Sequence, residues 1–97
     1  MQMTYMKVVW THSFEHEPVE LLSELDAQRR EIRKVEIFRD GTLSFAGPDG
    51  ASGDTCLGEG PLPSVDEITR DPQFRISTTN RDTFERSWHA ATMAAAA

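Results

Sequence analysis

Between Thr4 and His12 the side chains Met6, Val8 and Trp10 alternate with Lys7 and Thr11, in a stretch dominated by β-branched and aromatic residues. That period of two predicts a strand. Tyr5 and Val9 make its second face partly apolar as well, which places it centrally, with something packed on both sides. A second alternating region runs from Arg33 to Phe45 and is interrupted by Asp40-Gly41, the signature of a hairpin. Loop length then decides register. A two-residue loop would set Glu36 opposite Phe45 and leave a carboxylate on the apolar face. A three-residue loop, Arg39-Asp40-Gly41 with Gly41 left-handed, pairs Ile37 with Leu43 and Val35 with Phe45. It collects four apolar side chains on one face and sends Lys34, Glu36 and Ser44 to the other, so it is preferred.

Residues 18 to 32 read two ways. As a helix, Pro18 occupies the first turn and Leu21, Leu25, Gln28, Ile32 and Val35 share a stripe. As a strand, Val19, Leu21, Ser23 and Leu25 alternate with Glu20, Leu22 and Glu24, and Asp26 to Arg30 turns the chain. Propensity favours the helix. The stripe, however, must end on Val35, which the hairpin already uses, so the strand is preferred.

From Gly47 to Pro63 glycine and proline concentrate, which predicts an irregular connection with a short strand near Thr55-Cys56-Leu57. Ser64 and Glu67 form a capping box, opening a short helix that must stop by Asp71 because Pro72 follows. Arg75 to Thr78 reads as a brief extended stretch. A final helix starts near Arg81 behind Thr79 or Asn80, with Phe84, Trp88, Ala91 and Ala95 on one stripe and an Ala94–Ala97 tail expected to fray. The sum is one α+β domain over residues 1–97. It has an antiparallel sheet of three to five strands, with the C-terminal helix and the shorter one packed mainly on one face.

Charge narrows what such a domain can do. Sixteen acidic side chains against ten basic ones leave a net charge of -6, which argues against direct nucleic-acid binding and favours a basic partner. Cys56 is the single cysteine, so no intrachain disulfide and no cysteine-based zinc site can form. No apolar run approaches the ~20 residues of a membrane span, and no cofactor-binding motif is present, so the expectation is a cytoplasmic chain without a cofactor.

Candidate chemistry is sparse. His12, Glu15, His16 and Glu17 include donors that hold metals, but they leave a strand and approach Pro18, which removes the helical spacing that would aim two histidines at one ion. The alternative is a surface loop with Phe14 tucked under the sheet edge. Paired carboxylates such as Glu15 with Glu17, Glu24 with Asp26, and Asp66 with Glu67 lack a visible device to separate their pKa values. Arg29, Arg30, Arg33 and Lys34 interleave with Asp26, Glu31 and Glu36, as in a surface network of ion pairs. Trp10 and Trp88 fall on apolar stripes and read as core.

The segments Trp10-Thr11-His12, Glu17-Pro18, Ser23-Glu24-Leu25-Asp26, Arg33 to Gly41, Pro61-Leu62-Pro63-Ser64 and Phe84-Glu85-Arg86-Ser87-Trp88 give the chain a resemblance. It resembles a family of small bacterial domains of unknown function, the Arg-Lys-Val-Glu-x-Phe-x-Asp-Gly run being the most specific part. The alanine tail departs from it. The resemblance implies a compact bacterial domain and supplies no catalytic residues. The expected function is a non-enzymatic protein-binding module, such as an immunity protein occluding a basic toxin or nuclease, acting as a monomer or weak homodimer. Phe14, Glu15, His16 and Glu17, with Asp26, Arg29 and Arg30, are the expected partner contacts. The alternatives are a phage-encoded acidic nucleic-acid mimic that blocks a defence complex (an anti-CRISPR-like inhibitor), and a small metal-dependent enzyme using His12 and His16.

Overall fold

The computed structural model describes residues 2–96. Strands β1 (Thr4–Trp10), β2 (Glu20–Leu25), β3 (Glu31–Ile37), β4 (Leu43–Gly47), the two-residue β5 (Gly50–Ala51) and β6 (Phe74–Thr78) form one sheet. Its order is β5-β4-β3-β2-β1-β6, every neighbouring pair antiparallel. Helix α1 spans Val65–Thr69 and α2 spans Arg81–Ala96. Six strands exceed the three to five expected. The additional pairing comes from β5, formed at Gly50–Ala51 rather than near Thr55, and from β6, which returns beside β1 and makes β1 central.

Residues 20 to 25 are a strand and Asp26 to Arg30 a tight turn. The carboxylate of Asp26 accepts the Gln28 and Arg30 amides, both at 2.9 Å, and so closes that turn locally. The β3–β4 hairpin has the expected register, Ile37 opposite Leu43 and Val35 opposite Phe45. Phe38 and Thr42 close its three-residue loop, with Gly41 at φ 89° in the left-handed region. Ser64 caps α1 by accepting the Glu67 amide at 3.2 Å, and Asn80 caps α2 by accepting the Thr83 amide at 2.9 Å. The α2 helix continues through Ala96; the remainder of the tail expected to fray, Ala97, lies outside the described residues.

The two helices lie on opposite faces, contrary to the expectation that both pack mainly on one. On the first face α2 lays Phe84 and Ala91 over Leu22 and Val35, with Tyr5, Ile37, Leu43, Phe45 and Trp88 around them. Among the described residues Phe84, Leu25 and Val35 are the largest fully buried side chains, each stabilising the fold by about 1.5–3 kcal/mol. Gly47 lies under the Trp88 ring so closely that an added Cβ would stand 2.7 Å from Cη2. On the second face Met6, Val8 and Leu25 are covered by Leu62, Ile68, Phe74 and Ile76, that is, by α1, β6 and the chain leading into α1.

Charge is buried on both faces, so the expected surface network is largely an internal one. Under α2, Arg33 grips Glu24 with two nitrogens, at 2.7 and 2.9 Å, while contacting Glu85 and stacking over the Phe84 and Trp88 rings. The Arg33 guanidinium holds Glu24 below the usual carboxylate range, overcoming the opposing effect of burial. The stabilisation from that lowered pKa is complete above the ordinary carboxylate range and fades as pH falls through the lowered value. On the other face, Lys34, Glu36 and Ser44 are roofed by residues 52–62. Thr55 donates to Glu36 at 2.6 Å and contacts Ser44, the Gly58 amide donates to Glu31 at 2.8 Å, and Lys34 donates to the Cys56 carbonyl at 3.1 Å. A roof with few apolar side chains is thereby fastened through polar bonds, and every buried side-chain polar atom has a partner among the described residues.

Candidate functional site

The β1–β2 connection carries the exposed aromatic group of this site. Strand β1 ends on Trp10, whose backbone amide donates to Val19 at 2.9 Å, while Thr11 donates to Gln73 at 2.8 Å. The intervening loop is pinned at both ends. The ring of Phe74 lies 5.8 Å from that of Trp10, Trp10 lies 4.1 Å from His12, and His12 is stacked on Phe14 at 5.4 Å. The result is a ladder of four rings leading from the sheet into solvent. Trp10 is further fixed by its indole nitrogen, which donates to Gln73 Oε1 at 3.2 Å.

At the outer end, Phe14 is 58% exposed, which corrects the expectation that it tucks under the sheet edge. Its ring rests instead against His12, at 5.4 Å, and Trp10, at 6.2 Å. The imidazole Nε2 lies 2.8 Å from the Pro18 carbonyl and Nδ1 accepts the Phe14 amide at 2.9 Å, so one side chain ties the loop together at both positions. Arg39, reaching from the β3–β4 turn, donates to the His12 carbonyl at 2.7 Å. Among the described residues no group of three His, Cys, Asp or Glu side chains is arranged to hold a metal ion.

Carboxylates surround the ladder. Glu15, His16 and Glu17 are exposed beside Phe14. A hollow of about 470 Å³ lies between Glu15, His16, Phe38, Arg39, Asp40 and Thr42. A second, of about 800 Å³, takes Glu17, Glu36 and Asp54 into its wall and sits on the other side of the same turn. Bonds from Thr42 hold the Asp40 carboxyl below its ordinary range, so it stays charged. Glu15, Glu17, Glu36, Asp40 and Asp54 thus line these two hollows against Arg39, an arrangement that attracts cationic groups.

The expected contact residues do not converge. Phe14, Glu15, His16 and Glu17 occupy one end of β2, whereas Asp26, Arg29 and Arg30 occupy the other, about 20 Å away at roughly 3.3 Å per residue. Arg29 is also engaged internally. It adopts φ 62°, donates to the Pro63 carbonyl at 2.7 Å, and accepts the Leu62 amide on its own carbonyl at 2.8 Å, tying the roof to the β2–β3 turn. Arg30 is exposed. Sequence reasoning did not connect Arg39 and Asp40 with the Phe14 loop. The Asp-Gly turn was legible, but its position beside residues 12–17 follows only from the strand order.

The sequence profile of the domain of unknown function DUF6881 matches residues 4–93. No curated protein and no solved structure matches the chain. No helix among the described residues is long and apolar enough to cross a membrane.

Proposed function

The chain belongs to the DUF6881 family, and we propose that it works as a non-enzymatic protein-binding module, an immunity-type inhibitor that occludes a basic bacterial toxin or nuclease. The observation that carries this reading is Phe14, an exposed aromatic held rigidly by stacking and set among carboxylates. Binding energy in protein interfaces concentrates in such aromatic anchors because they bury large area at little entropic cost. The carboxylates steer a cationic cleft onto the anchor and exclude acidic partners. In this reading the protein acts in the cytoplasm of a bacterium as a monomer or weak homodimer, needs no cofactor and makes no direct contact with nucleic acid or membrane. The Arg33–Gly41 run serves as the family's signature by building the hairpin that flanks the site.

Three immobilised baits test it: the native chain, the triple variant Phe14→Ala/Glu15→Lys/Glu17→Lys, and Arg30→Ala. A lysate of the native host should yield one basic protein retained by the native and Arg30→Ala baits, lost from the triple variant, and released by added salt. Identical retention on all three baits, or retention of nothing, would overturn the proposal.

A further inference from the structure

His12 closes the Phe14 loop in a way that permits one protonation state. A carbonyl only accepts, so the 2.8 Å contact between Nε2 and the Pro18 oxygen requires the ring proton on Nε2. The Phe14 amide only donates, so the 2.9 Å contact with Nδ1 requires a lone pair there. Both nitrogens of the neutral ring are therefore committed. A second proton must go onto Nδ1, where it would face the Phe14 N–H, donor against donor. Proton uptake and the Phe14 bond exclude each other.

The surroundings decide which part of the loop gives way. Trp10 packs tilted against the imidazole at 4.1 Å and Phe14 stacks on it at 5.4 Å, so both rings would hold a cationic ring at least as firmly as a neutral one. Pro18 can still accept from Nε2. The charged and titratable groups around the loop are Glu15, His16, Glu17, Arg39 and Asp40, and β6 contributes the neutral Gln73. The contact without compensation is the Phe14 amide. On acidification the ring stays against Trp10 and the Phe14 backbone is released.

Resting on the reading of Phe14 as the binding anchor, we propose that His12 is a proton-operated latch: neutral, it fixes the Phe14 backbone through Nδ1; protonated, it drops that bond and loosens the loop that presents Phe14. Partner binding is then strongest while the His12 ring is neutral and weakens once the ring takes up its second proton.

The test uses the free protein. Nitrogen-15 NMR of the His12 ring and the Phe14 amide is followed from pH 8 to pH 5, with His16→Gln to remove the neighbouring imidazole and His12→Asn as comparison. Asparagine can accept an amide two residues on and does not titrate. At pH 8 His12 should show the Nε2–H tautomer. The Phe14 amide should move with the midpoint of the His12 ring and lose about fivefold in exchange protection after correction for intrinsic rates, the worth of one hydrogen bond. In His12→Asn it should stay flat. An Nδ1–H tautomer at pH 8, or a Phe14 amide indifferent to the His12 titration, overturns the latch even if His12→Asn does not fold. A titrating latch with failed capture at pH 8 removes the binding reading alone; successful capture with an indifferent Phe14 amide removes the latch alone.

Discussion

The two ends of β2 carry polar connections of similar appearance, yet the molecule uses them in opposite directions. At one end, residues 11–19 turn their polar atoms inward, through His12, Pro18 and Arg39, and hold an aromatic ring outward. At the other, Arg29 turns back onto the Leu62 and Pro63 carbonyls and secures the roof of the second face. Charge clusters are therefore poor guides to function until their bonds are traced. A guanidinium committed to two carbonyls has little left to offer a partner, whereas carboxylates around a fixed ring have both charge and area available.

Substitutions should separate the two ends. Phe14→Ala is expected to have the largest effect, weakening partner binding by about 2 kcal/mol or more, roughly thirtyfold in Kd by calorimetry, with the denaturation midpoint unmoved. Next, Arg29→Ala should lower stability by about 1–2 kcal/mol in denaturant titrations while leaving the affinity of the folded protein intact, because it removes internal bonds only. Reversing Glu15 and Glu17 to lysine should slow association about tenfold at low salt, with little change in dissociation, as measured by stopped flow. Arg30→Ala, one residue from Arg29, should change both stability and affinity by less than about 0.5 kcal/mol. An Arg30 effect equal to that of Phe14 would erase the distinction between the ends.

The parts of this architecture that were legible in the sequence depend on neighbours along the chain. The hairpin register followed from excluding Glu36 from an apolar face, and the cap at Ser64 from a side chain three residues before the amide it satisfies; at α2 the sequence left Thr79 and Asn80 open, and the structure selects Asn80. The parts that were not legible depend on residues far apart. Lys34, Glu36 and Ser44 have the pattern of one side of a two-faced hairpin, and only the return of Thr55, Cys56 and Gly58 encloses them. Arg29 and Arg30 are identical letters; the left-handed backbone at Arg29 aims it at the roof, a consequence of how the Asp26 turn closes. In the site, the carboxylates and Phe14 were identifiable as a group. The displacement of Phe14 into solvent was not, because it results from His12 bonding two residues ahead and six residues ahead at once.

The most direct measurement is an amide hydrogen-exchange footprint of the protein with and without its captured partner. New protection should concentrate in residues 12–18 and 38–42, at the end that holds Phe14 and Asp40, with residues 26–30 exchanging as in the free chain. Protection centred on Asp26 to Arg30 or on α2, with the Phe14 loop unchanged, would contradict the account.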